Sequence, residues 1–146
     1  MPRATSGPAH TRKRKRVLKR ASGFRAGPGT LYRQALGAVE GLQLPCEDAG
    51  GRRRGWFVFV VQLPQGVDRD TTVRALGDRG IPSKPYFPAV HLMSFYRERF
   101  GHREGEFPVC EDVAARSIAL PFFPEMSEVQ VERAAGALVD VLHRTS

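Results

Sequence analysis

His91 follows Pro85 and Pro88 and stands at what reads as the start of a short helix. Each proline fixes its own φ and restricts the residue before it, so this imidazole is held stiffly at an element boundary. Functional side chains concentrate at such boundaries. A neutral imidazole there could hydrogen-bond a hydroxyl or a phosphate of a substrate. A half-buried histidine tied to the backbone accounts for the same residues equally well. Tyr86 and Tyr96 each bring an aromatic face and a hydroxyl, with core packing and a wet tip as the competing use. Lys84 is the one lysine after residue 25, between Ser83 and Pro85. A Schiff-base lysine needs its pKa lowered by burial or by a neighbouring cation, and this position reads instead as a surface lysine. Arg97, Arg99 and Arg103 read as a solvated helix face, and Phe122-Phe123 as packing.

Other chemistry is not written in the chain. It has no Gly-x-x-x-x-Gly-Lys-[Ser/Thr], no Gly-x-Gly-x-x-Gly after a strand, no His-Glu-x-x-His and no Gly-x-Ser-x-Gly. The four histidines (His10, His91, His102, His143) are too scattered to be expected as metal ligands. No catalytic residue and no metal are assigned from spacing.

The elements that must position His91 follow from periodicity. A helix is expected from Thr30 to about Val39, capped by Thr30, with Leu31, Ala35 and Val39 inward and Gly41 beyond its end. Gly55–Leu63 reads as a strand, apolar on both faces and therefore central in a sheet. A helix from Asp68 or Asp70 buries Val73 and Leu76 and stops before Gly80. Pro82 and Pro85 make Ile81–Phe87 an extended edge or a positioning loop. Val90–Phe100 is expected as a short helix with Leu92, Phe95, Tyr96 and Phe100 apolar. Val109–Ser117 follows as another, and Ile118–Phe122 as a short strand. Ser127-Glu-Val-Gln130 is a capping box, and the stripe Val131, Ala134, Ala135, Leu138, Val141, Leu142 marks the last helix, ending near His143. This order gives a small α/β or α+β layer, a short sheet with flanking helices.

The net charge of +8 belongs to one end of the chain. Nine of the 23 basic side chains fall in residues 1–25 with no acid among them, leaving 14 basic against 15 acidic groups elsewhere. Residues 1–30 are thus expected to be a disordered basic arm before a near-neutral domain at 31–146. An Arg-rich, acid-free start also resembles an organelle transit peptide. Cys46 and Cys110 form no Cys-x-x-Cys and read as reduced thiols of a cytoplasmic protein. The longest apolar run, Trp56–Val61, is strand-sized and cannot span a membrane.

From about Leu31 to Leu142 the chain resembles the C-terminal small domain of the DegT/StrS-type pyridoxal-phosphate-dependent sugar aminotransferases. The matching pieces are Tyr32-Arg-Gln-Ala-Leu36, Gly41-Leu-Gln-Leu-Pro45, Trp56-Phe-Val-Phe-Val60, Asp68-Arg-Asp70, Ala75-Leu76 and Arg79-Gly-Ile81. Tyr86-Phe-Pro88, His91-Leu92, Phe95-Tyr96, Phe107-Pro108, Glu111, Ala119-Leu-Pro-Phe-Phe-Pro124 and the final helix follow in order. The resemblance implies a type I pyridoxal-phosphate fold, usually dimeric, that moves an amino group from an amino acid such as glutamate onto a keto sugar. It places the cofactor lysine, the aspartate under the pyridine nitrogen and the phosphate-binding groups in a larger N-terminal domain. It makes Pro88–Tyr96 the substrate-facing loop, with His91, Pro88, Tyr86 and Tyr96 toward substrate. The chain is accordingly expected to be a truncated enzyme that binds no pyridoxal phosphate alone. Its expected partners are a second copy or a larger aminotransferase subunit.

Residues 1–39 are similar to the start of the twentieth protein of the bacterial large ribosomal subunit, through Met1-Pro-Arg3, Gly7, Arg12, Lys15, Val17-Leu-Lys19, Ala21, Gly23-Phe-Arg25, Leu31-Tyr-Arg33 and Ala38-Val39. After Val39 the long basic helix of that family gives way to Glu40, Pro45, Glu47 and Asp48. This similarity implies an alternative, RNA binding through Arg12, Lys13, Arg14, Lys15, Arg16, Lys19 and Arg20, with affinity falling steeply with salt. A chance leader before a truncated enzyme accounts for residues 1–30 equally well.

Overall fold

A computed structural model describes residues 27–51 and 55–145. The expected basic arm, with Arg12, Lys13, Arg14, Lys15, Arg16, Lys19 and Arg20, lies outside these residues. Helix α1 spans Pro28–Leu36, β1 Phe59–Gln62, α2 Arg69–Asp78 and β2 Lys84–Pro85. A single 3-10 turn at Val90–Leu92 leads into α3, Ser94–Phe100; then come α4, Pro108–Arg116, β3, Ser117–Leu120, and α5, Glu128–Thr145. The three strands form an antiparallel sheet in the order β1-β3-β2. Phe59 faces Leu120 and Gln62 faces Ser117 in its register. The architecture is the expected α+β layer.

Local chemistry sets the helix ends. Helix α1 starts two residues before Thr30, because Pro28 at its first position is already fixed at a helical φ and needs no donor there. Its buried stripe is correspondingly Tyr32 and Leu36, both fully buried, rather than the expected Leu31, Ala35 and Val39. Leu31 and Val39 are half-buried and Ala35 is exposed. Asp68 caps α2, its Oδ1 accepting the Thr71 N–H at 2.7 Å. The capping box before α5 is closed from both sides: Ser127 N–H donates to Gln130 Oε1 at 2.9 Å, and Gln130 N–H donates to Ser127 Oγ at 3.3 Å. Gly41 has φ +71°, and a Cβ there would stand 3.1 Å from Pro64 Cβ, so both conformation and space require glycine.

The core lies between one face of the sheet and helices α1, α2 and α5. Val131, Ala134, Ala135, Leu138, Val141 and Leu142, the stripe expected from the sequence, are all buried. Tyr32 stacks on Phe59 at 4.7 Å, and its hydroxyl donates to the Pro121 carbonyl at 2.9 Å. Burial pushes that phenol well above its ordinary pKa, because the anion would have no solvation.

The apolar run at 55–63 is not the central strand. It lies at the sheet edge, extended only by a bridge between Gln43 and Gln62, and β3 is central. Its two faces differ: Phe59 and Val61 are fully buried, while Val60 and Gln62 are half-buried. Arg116 ties α4 to the end of β1. Its Nη1 donates to the Leu63 carbonyl at 2.7 Å, and its Nε to Asp112 Oδ1 at 2.9 Å.

A candidate substrate groove around His91

Beyond β2 the chain has no regular structure over residues 86–89, and the Tyr86 N–H donates to the Ser117 carbonyl at 3.1 Å. The Tyr86 and Phe87 rings stack at 4.1 Å. The 3-10 turn then points His91 back toward the start of α4. Between this strap and α4 runs a groove of about 990 Å³, and Tyr86, Pro88, His91 and Tyr96 all line it. The four residues singled out in the sequence therefore share one concave surface. Its remaining wall includes Phe107 and Val113. Apolar clefts with a few convergent polar groups are the usual form of a small-molecule site.

The expected single helix over Val90–Phe100 is interrupted at Met93, whose ψ of 144° is extended. The rotation leaves Phe95 59% and Phe100 58% exposed, so they do not serve as the inner face of a helix. The Arg99 guanidinium lies 5.9 Å from the Phe95 ring centroid and 5.8 Å from that of Phe100, over aromatic faces rather than in an anion clamp.

His91 is 9% exposed, and its Nε2 lies 2.9 Å from Glu111 Oε1. Glu111 also accepts the Gly105 N–H on both oxygens, at 3.0 and 2.9 Å, and the Phe107 N–H at 3.1 Å. The Gly105 N–H leads the causes holding this carboxyl below its ordinary range, with His91 and the Phe107 N–H acting the same way. A second pair stands alongside: His102 Nδ1 is 2.9 Å from Glu106 Oε2, and the two imidazoles are 6.1 Å apart. His102 likewise holds the Glu106 carboxyl low. His91 is thus neither free nor tied to the backbone; a carboxylate holds it. Sequence spacing gave no sign of the pair, because Glu111 lies 20 residues away across the loop between α3 and α4. His102 and Glu106, four residues apart, carried a weak sign that the scattered histidines obscured.

No group of three or more His, Cys, Asp or Glu among the described residues could hold a metal ion. Pyridoxal phosphate condenses with a lysine amine, and Lys84, the one lysine after residue 25, is exposed on β2 and does not line the groove. The described residues therefore do not fit as a complete cofactor site.

Comparison with known proteins places the chain in a family. The DegT/DnrJ/EryC1/StrS aminotransferase family model matches residues 15–139, and the chain belongs to that family. The spore coat polysaccharide biosynthesis protein SpsC of Bacillus subtilis is 30% identical over 115 residues, covering 76% of this chain and 29% of SpsC. The aminotransferase TlmJ of Streptoalloteichus hindustanus superimposes with a TM-score of 0.75 at 27% identity, covering 88% of this chain and 34% of that one. DesV of S. venezuelae, solved in complex with a ketimine intermediate, gives 0.75 at 27% identity over 92% of this chain and 34% of its own. The chain thus spans about a third of the length of these relatives. The family match takes in Lys15, Arg16, Lys19 and Arg20, and nothing in it supports the RNA-binding alternative. Among the described residues no helix is long and apolar enough to cross a membrane.

Proposed function

We propose that residues 31–146 act as the substrate-covering small domain of a pyridoxal-phosphate-dependent sugar aminotransferase. The reaction is transfer of an amino group from glutamate to a nucleotide-linked or free keto sugar. A domain bearing the cofactor lysine, on a partner subunit or a larger aminotransferase chain, supplies the cofactor chemistry. This chain supplies the wall that closes over the sugar. The observation that carries the reading is the convergence of Tyr86, Pro88, His91 and Tyr96 on one groove. In it the rings pack against an apolar sugar face and exclude water, while His91 meets a hydroxyl. Cys46 and Cys110 are both exposed, in keeping with a reducing cytoplasm.

The test is complementation. The full chain, alone with pyridoxal phosphate, is expected to show no aldimine absorbance at the visible edge and no turnover of glutamate with a nucleotide-linked keto sugar. Mixing it with the complementary N-terminal two thirds of a full-length relative is expected to restore turnover. His91→Ala in the mixture is expected to lower kcat/KM roughly tenfold, about the loss of one hydrogen bond. An aldimine band from the chain alone overturns its incompleteness. Restored turnover that is indifferent to His91→Ala overturns the role of the groove.

A further inference from the structure

We infer that Glu111 is a positioning residue that fixes which His91 nitrogen carries the proton, and so turns His91 Nδ1 toward the groove as a hydrogen-bond acceptor. Glu111 Oε1 receives Gly105 N–H at 3.0 Å, Phe107 N–H at 3.1 Å and His91 Nε2 at 2.9 Å. Two backbone amides aimed at one carboxyl oxygen stabilise it as an anion, and an ionised carboxylate only accepts. Nε2 must therefore donate, and the neutral ring has its proton there. Nδ1 then carries the lone pair. It has no hydrogen-bond partner among the described residues, and it is not among their sealed, unpartnered polar atoms, of which Ser83 Oγ is the one example. An edge-on contact with Phe107, centroids 4.8 Å apart at 71°, fixes the ring plane. Phe107 and Val113 contribute apolar wall to the groove, which Tyr86, Tyr96, His102 and Glu106 also line.

At the Nδ1 position an acceptor selects a ligand hydroxyl that can donate, and it disfavours a ligand group presenting only lone pairs, which would meet its own. The ring polarity follows from the contacts above. Its meaning for a sugar hydroxyl rests on the function proposed above.

The polarity is measured on the full chain with nitrogen-labelled histidine, by NMR correlation of ring nitrogens and carbon-bound protons, at a pH where titration shows the ring neutral. Wild type is expected to carry the proton on Nε2. Glu111→Gln keeps a carbonyl oxygen for the two amides and Nε2, and is expected to preserve that tautomer. Glu111→Ala is expected to give a mixture of both. A proton on Nδ1 in wild type overturns the inference, and so does a pure Nε2–H ring in a folded Glu111→Ala. If Glu111→Ala fails to fold, the wild-type and Glu111→Gln spectra decide. In the complemented enzyme Glu111→Ala is expected to raise KM for the keto sugar roughly tenfold, with Glu111→Gln near wild type. An Nε2–H ring without complementation sinks the proposed function and leaves the tautomer standing. Complementation with an Nδ1–H ring does the reverse.

Discussion

Two apolar surfaces of this domain have similar composition and opposite environments. On one side of the sheet Tyr32, Leu36, Phe59 and Leu138 are sealed to 0% exposure. Along the strap and α3, by contrast, Phe87, Phe95 and Phe100 stand 61%, 59% and 58% exposed, the last two beside Tyr96. The first surface is closed by elements of the same chain, α1, α2 and α5 packing with β1 and β3 into one core. The second is left open by the described residues. Contiguous exposed aromatics of this kind mark places where another surface or a ligand packs. Hydrophobicity alone therefore does not say whether a residue stabilises this domain or serves contact with something else.

Truncation at each surface separates the two. Leu138→Ala removes a fully buried side chain from the α5 stripe. It is expected to cost about 2–5 kcal/mol, through lost transfer energy and the cavity left behind. The urea midpoint of the full chain checks this. A midpoint within error of wild type would place Leu138 outside the cooperative core.

The same division explains what the sequence disclosed. The α5 stripe was legible because six apolar residues at helical spacing and a capping box agree, and one neighbouring layer buries all of them. Asp68 capping α2 was legible for the same reason: the signal is local. The stripe of α1 was displaced because Pro28 rather than Thr30 sets its start. The rank of the strand at 55–63 was not legible. Apolarity on both of its faces comes from a core on one side and an open face on the other, and strand order depends on partners far along the chain. Around the groove, the resemblance placed Tyr86, Pro88, His91 and Tyr96 on one loop, and the fold gathers them on one surface. The Glu111 contact was invisible because it depends on how the loop after α3 folds back.

Acid is expected to act on the groove side. Glu111 is held below its ordinary value of 4.5, first by the Gly105 N–H, and Asp112 below 3.8, first by its bond to Arg116. A carboxyl whose pKa is depressed in the folded state adds stability that is present above its unfolded value and is lost as pH falls through the folded one. The urea midpoint should therefore fall progressively as pH drops below about 4.5. Glu111→Gln, which has no such proton to bind, should flatten the upper part of that fall. A midpoint that rises on acidification would reverse the sign argued here.

Ser127→Ala is expected to cost about 1 kcal/mol, because the Gln130 N–H loses its acceptor at the start of α5. The effect should be smaller than that of Leu138→Ala, since water can reach the exposed amide and partly replace the hydroxyl. Thermal unfolding of the two variants side by side gives the ratio. A Ser127→Ala loss equal to the Leu138→Ala loss would mean that the cap, not the stripe, anchors α5.

The smallest effect on stability belongs to the open surface. Phe95→Ser and Phe100→Ser remove aromatic rings that solvent already reaches, and each should leave the unfolding midpoint within about 0.5 kcal/mol of wild type. Their expected effect lies elsewhere. Both rings sit beside Tyr96, with Tyr96 and Phe100 stacked at 6.1 Å, so polar replacements remove apolar area from the rim of the groove. Complementation by a lysine-bearing domain should weaken while the isolated chain stays as stable as before. A large loss of stability in either variant would show that the aromatic rim belongs to the core after all, and the contrast between the two surfaces would fall.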